Sequence, residues 1–264
     1  MARGRNLPLS LPRRLVCDLV RFAHRVPTVP VQRVVNVAAL DAARARLSSR
    51  PGWVTLFTKA YGQVCSEIPA LRRAYLSFPW TRLYEHADVI ASVAVERMYQ
   101  GEPGVFFAHF LNPGTIPLLA LEAELRRFKE DPVESIGDFR ASLMISRLPR
   151  PLRSLAWWYV THARGYRKAT WLGTFGLSVY SSLGAESLHP LSPVTTTLNY
   201  GVIGPGGDVT VRIVYDHRVM DGATVARALA RLDRVLNEDL LAELRSLAEA
   251  AAPAPAPQPL AAPR

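Results

Sequence analysis

Between residues 195 and 237 the sequence leaves the chain few ways to fold. Thr195 to Ile203 reads as a strand, and Gly204-Pro205-Gly206-Gly207 makes a tight turn. Val209, Val211, Ile213 and Tyr215 then alternate with Thr210, Arg212 and Val214, the period of a strand with two unlike faces. Helical spacing follows almost at once: from Ala223 to Asn237, Val225, Leu229, Leu232 and Leu236 fall on one side. A hairpin that feeds an amphipathic helix must bury the helix on one sheet face, so sheet and helix share a core.

The rest of the chain repeats this mixture. Residues 7–26 read as a helix closed by Pro27 and Pro30, Val29 to Val37 as a strand, and Leu40 to Leu47 and Thr55 to Ile68 as helices. Val89 to Val95 and Gly104 to Leu111 suit strands, Ile116 to Lys129 an amphipathic helix, and Phe175 to Tyr180 a strand. Leu240 to Ala250 extends the last helix or begins another, and Ala251 to Arg264 is an Ala-Pro-Gln tail. Strands and helices mix without a regular βα repeat, which points to α+β or a mixed sheet. The expected organisation is an extension over 1–6, a folded domain over 7–245 and a flexible tail over 246–264.

Charge narrows the partners. Against 22 acidic residues stand 32 basic ones, a formal net charge of +10, so the chain attracts polyanions or phosphorylated cofactors. No basic-aromatic alternation of a nucleic-acid module is visible, which disfavours nucleic acid. No His or Cys spacing suggests a metal; His24, His86, His109, His162 and His189 read as surface or core residues. Cys17 and Cys65 sit in apolar contexts and read as buried free thiols. No uncharged run is long enough for a spanning helix and no signal peptide is recognisable, so the expectation is a cytoplasmic protein. Residues 140–172 interleave Trp157, Trp158 and several leucines with Arg147, Arg150, Arg153, Arg164, Arg167 and Lys168. That texture fits either a helix docked by its apolar face or a peripheral membrane contact over 147–171.

One segment could carry chemistry. Tyr215-Asp216-His217-Arg218-Val219-Met220-Asp221-Gly222 lies where strand gives way to helix, a place that can present side chains to a cleft. His217 can take a proton from a thiol or hydroxyl near neutral pH. Asp221 could cap the helix or hold a cation, and Gly222 would let the chain turn tightly. Spacing alone favours a structural histidine.

The whole string, followed by an alanine-rich helix, resembles the His-x-x-x-Asp-Gly signature of the catalytic domain of 2-oxoacid dehydrogenase acyltransferases, whose fold chloramphenicol acetyltransferase shares. Pro8-Leu9-Ser10-Leu11-Pro12-Arg13 is similar to the opening of that domain, and Gly173-Thr174-Phe175-Gly176-Leu177-Ser178 to its Gly-Thr-Phe-Thr-Ile-Ser. The resemblance runs from about residue 7 to 240. It implies an α+β, chloramphenicol-acetyltransferase-like fold, a two-layer mixed β-sheet with flanking helices. It further implies a coenzyme-A-dependent acyltransferase with acyl-coenzyme A as substrate, in which His217 is the general base and Ser178 an oxyanion donor. Asp221 would be held by a structural salt bridge to Arg13, and Gly222 would be the turn of the motif. The site would lie between subunits of a homotrimer, or of a larger trimer-based assembly, with histidine and serine from different chains.

The sequence also departs from that family. The chain begins almost at the catalytic domain, so the expectation is a stand-alone enzyme with no lipoyl group on this chain. The segment from Arg147 to Leu172 is longer and more aromatic than the family's, which puts dihydrolipoamide in question and favours an apolar acceptor. Two other readings compete: a core-forming, non-catalytic subunit of a dehydrogenase-type complex, and a basic membrane-surface or nucleic-acid-binding protein that merely carries the fold.

Overall fold

The computed structural model describes residues 3–251. In chain order the helices and strands are α1 (Leu11–Ala23), β1 (Thr28–Asn36), α2 (Ala38–Ala45), α3 (Trp53–Glu67), β2 (Arg73–Leu76), β3 (Arg82–Glu85), β4 (Ile90–Tyr99) and β5 (Glu102–Leu111). Then come α4 (Leu118–Glu130), α5 (Gly137–Arg147), α6 (Arg150–His162), α7 (Gly165–Leu172), β6 (Phe175–Leu177), β7 (Thr196–Tyr200), β8 (Asp208–Asp216), α8 (Gly222–Arg234) and α9 (Leu240–Ala251). The last two are joined by a π-helical stretch, Val235–Asp239. Residues 246–251, expected to be tail, belong to α9; the rest of the expected tail lies outside the described residues.

Among the described residues a six-stranded sheet runs β1-β8-β7-β6-β4-β5, and β2 pairs with β3 in a separate ribbon. The sheet is mixed: β6 lies parallel to both β4 and β7, and the other neighbours are antiparallel. The hairpin foreseen from the sequence is present, with Tyr200 opposite Val211. Its turn depends on Gly207, at φ +84, where a Cβ would lie 2.6 Å from that of Ala38.

Period-2 alternation sorts the sheet into two faces. Val93 of β4, Phe175 and Leu177 of β6, Leu198 of β7 and Val211 and Ile213 of β8 enter the main core. Buried residues of α2, α3, α4, α8 and α9 complete that core. On the opposite face lie Ser92, Ala94, Phe107, His109, Gly176 and Thr197, with α1, α5 and α6 packed over them. The basic aromatic segment is therefore three helices rather than one, and it does not simply point its cations at water. Arg153 forms a buried ion pair with Asp18 of α1, and Lys168 is buried. The β2–β3 ribbon escaped the sequence reading because each strand is four residues long and carries charge. Cys65 is buried but Cys17 is exposed, contrary to the expectation of two buried thiols.

Candidate active site

The motif histidine is presented by a turn whose polar groups are fixed. At the end of β8, Tyr215 points into the core and Asp216, of opposite parity, is 2% exposed. The backbone N–H of Asp216 donates to the Thr195 carbonyl at 2.9 Å and that of His217 to the Pro27 carbonyl at 3.1 Å. Arg218 donates to the Asp216 carboxylate through Nε at 2.9 Å and Nη2 at 2.7 Å, and its backbone N–H donates to Oδ1 at 3.0 Å. The same guanidinium lies over the Tyr75 ring, 4.1 Å from its centroid. Asp216 and Arg218 thus clamp the residue between them.

His217 itself stays open. Its side chain is 49% exposed and its ring leans on Tyr215, with centroids 5.4 Å apart. Nδ1 lies 3.8 Å from Asp221 Oδ1, too far for a hydrogen bond but close enough for a charge contact.

Two expectations for the motif need correction. Arg13 and Asp221 form no ion pair in this chain. Arg13 is exposed near the start of α1, beside β5: Pro12 would crowd any Cβ on Gly104, at 2.6 Å. Asp221 follows β8, and β7, β6 and β4 intervene in the sheet between β8 and β5. The Asp221 side chain is instead 87% exposed and faces His217. It occupies the N-cap position of α8 without a side-chain capping bond. Gly222, the first residue of α8, has an ordinary negative φ; a Cβ there would meet only the Tyr215 hydroxyl, at 3.4 Å. The sharp turn belongs to 216–219, where the Val219 N–H donates to the Asp216 carbonyl at 3.0 Å.

Ser178 follows β6 and is partly exposed. Sheet register fixes its position: Leu177 pairs with Leu198, which pairs with Ile213, so Ser178 is level with Arg212. His217 is five residues beyond Arg212, or roughly 17 Å along the strand direction. Within one chain the two side chains therefore serve different places. Ser178 borders a cavity of about 350 Å³ on the second sheet face, whose lining does not include His217.

Sequence reasoning passed over several polar groups. The Asp216–Arg218 clamp was visible in the motif but unread, because a pair two residues apart is not a helix-face spacing. Lys168, on α7, is pushed down to about 8 by burial, against the pull of Asp216. His86 is pushed down to about 4, by burial first and then by the positive charges of Lys168 and Arg72. His109 sets Nδ1 3.2 Å from Asp138 Oδ2. Among the described residues no three His, Cys, Asp or Glu side chains converge as a metal site would require, and no helix is long and apolar enough to cross a membrane.

Comparison with known proteins gives the same architecture. No family model matches the sequence, and no curated protein does. Solved structures do match. The dihydrolipoamide acetyltransferase of Azotobacter vinelandii, studied for the roles of a serine, a histidine and an asparagine in its catalytic mechanism, aligns with TM-score 0.66 and 19% identity over 90% of this chain and 93% of that one. The cubic core of a pyruvate dehydrogenase multienzyme complex gives 0.65 and 19% over 90% and 93%. A probable dihydrolipoamide acetyltransferase from Listeria monocytogenes 4b F2365 gives 0.63 and 15% over 89% and 95%. The chain shares the fold of these dihydrolipoamide acetyltransferase structures.

Proposed function

We propose that the protein is a coenzyme-A-dependent acyltransferase, working as a homotrimer whose active sites lie between protomers. The observation that carries this reading is the imidazole at 217, held half-exposed on a turn fixed by Asp216 and Arg218. His217 Nε2 accepts the proton of the acceptor's thiol, hydroxyl or amine as that group attacks the thioester carbonyl. The oxygen becomes an oxyanion and receives a hydrogen bond from Ser178 of the neighbouring protomer. Collapse breaks the carbon–sulfur bond, and the departing coenzyme A thiolate takes the proton back from the imidazolium. Asp221 sets its carboxylate 3.8 Å from Nδ1 and leaves Nε2 for the acceptor. The wide separation of Ser178 from His217 within one chain supports the shared site. The Azotobacter enzyme, whose mechanistic serine precedes a histidine and an asparagine spaced four apart as His217 and Asp221 are, supports the pairing of these residue types rather than their distribution over chains. The net charge of +10 suits the phosphates of coenzyme A.

The test is thiol release from a panel of acyl-coenzyme A thioesters with thiol, hydroxyl and amine acceptors. His217→Ala is expected to lower turnover about 10²–10⁴-fold and Ser178→Ala about 10²–10³-fold. Unfolded and refolded together in equal amounts, the two inactive variants form mixed trimers in which some sites hold both native residues, with activity returning to about one quarter of wild type. Full activity in His217→Ala, or no recovery on mixing, sinks the shared site. The likeness to a multienzyme core favours a second reading, a core-forming subunit; a particle far larger than a trimer, without thiol release, would select it.

A further inference from the structure

The 350 Å³ cavity beside Ser178 falls within the size range of small-molecule sites, and its lining is unusual for so basic a chain. None of the lining residues is Asp, Glu, Lys or Arg. Leu15 and Leu19 of α1, Phe107 of β5, Trp157 and Val160 of α6 and Leu172 of α7 make its walls largely apolar. Phosphates, sugars and charged acceptors would be desolvated there without compensation. Trp157 is 6% exposed, and its indole Nε1 has no hydrogen-bond partner; nor does Nε2 of His109, which also lines the cavity. A buried N–H without an acceptor is costly, and a ligand that brings an oxygen relieves it. Apolar walls, one unmet indole donor and a serine hydroxyl at the border together describe a receptacle for a chain that ends in a carbonyl.

Resting on the acyltransferase reading, we propose that this cavity binds a single aliphatic chain of the reaction, so that the enzyme handles medium or long chains rather than acetyl groups alone. Two sources share that chemistry: the acyl chain of the thioester and an alkyl chain on the acceptor. The helices α5, α6 and α7 supply one wall, and α1 another.

Binding is measured first on the native oligomer, by calorimetry and tryptophan fluorescence, with the uncharged methyl esters of saturated fatty acids from hexanoate to hexadecanoate. Affinity is expected to rise about fourfold per added methylene until the cavity is full, then level off. No binding, or affinity independent of length, overturns the proposal. Ala94→Phe and Ala156→Phe fill the cavity from opposite walls, and each is expected to weaken methyl dodecanoate binding about tenfold or more. If both variants keep the native circular dichroism spectrum and bind methyl dodecanoate normally, the cavity is not the site. His217→Ala should bind chains as wild type does; chain binding without any acyl transfer in wild type would remove the proposed reaction and leave the cavity standing. Turnover across an acyl-coenzyme A length series, set against an alkyl-acceptor series with acetyl-coenzyme A, assigns the source. Whichever length dependence Ala94→Phe abolishes marks the chain that is held, and loss of neither separates the cavity from the reaction.

Discussion

His217 and Ser178 end strands of one sheet, yet they are held by different kinds of structure. The turn around His217 is local: Asp216 and Arg218, its direct neighbours, satisfy one another, and the histidine N–H is met by Pro27. The surroundings of Ser178 are assembled from distant segments. Asp18 of α1 meets Arg153 of α6, Phe22 stacks on Trp157 with centroids 5.7 Å apart, and Trp157 keeps an unmet N–H. Fixed geometry matters most where a proton moves, and adaptable volume matters most where a substrate must fit. The division predicts that changes near His217 act on turnover, and that changes among α5–α7 act on stability and ligand choice.

The sharpest way to break this contrast is Asp216→Asn. The substitution leaves an isosteric side chain but removes the charge that Arg218 embraces. Breaking a buried pair costs about 3 kcal/mol at the lower end, which suits a pair whose arginine is 30% exposed. A ring displaced by about 1 Å should also lose about 10²-fold in turnover. Denaturant unfolding and thiol-release kinetics would show both effects. A variant that unfolded more easily but turned over normally would strip the clamp of its positioning role.

The same contrast explains what was legible in the sequence. The hairpin and α8 showed in residues 195–237 because alternation, a glycine-rich turn and helical spacing are signals carried by neighbours. His217 could be singled out because it sits in that local frame. The missing Arg13–Asp221 pair is the opposite case: it depended on where α1 crosses the sheet, which nothing in residues 8–13 specifies. Burial of Lys168 and the Asp18–Arg153 pair were hidden for the same reason, since a basic run looks solvated until its partner is placed 135 residues away. Gly222 does not make the turn, which lies at 216–219 and is held by hydrogen bonds.

A smaller effect comes from the region around α7. His86 is buried beside Lys168 and Arg72, and its pKa is held down to about 4 by burial and by those cations. In the unfolded chain the imidazole takes a proton near its ordinary value of about 6.5, whereas the folded protein refuses it until about 4. The unfolded state therefore binds more protons in that window, and stability falls as pH drops from about 6.5 to about 4. His86→Gln should flatten this limb, seen as a smaller difference in Tm between about pH 7 and about pH 4.5. An unchanged limb would mean that other groups set the acid sensitivity.

The weakest expected effect tests the outer side of α6. The inner side supplies Trp157 to the cavity, while Leu152, Leu155 and Tyr159 are exposed on the outer side. Arg147, Arg150, Arg164 and Arg167, at or just beyond the ends of α6 in the sequence, are exposed as well. Exposed leucines and a tyrosine together with exposed arginines suit an anionic membrane surface, where each cation contributes about 1 kcal/mol. The protein should sediment with vesicles rich in anionic lipid but not with neutral ones, and salt should release it. Leu152→Glu combined with Leu155→Glu should abolish sedimentation and leave turnover of soluble thioesters unchanged. If the double variant instead shrinks the particle, and wild type ignores vesicles, the stripe joins subunits. The helices around Ser178 would then serve assembly, and the contrast with the turn at His217 would lie between a subunit contact and the proposed catalytic base.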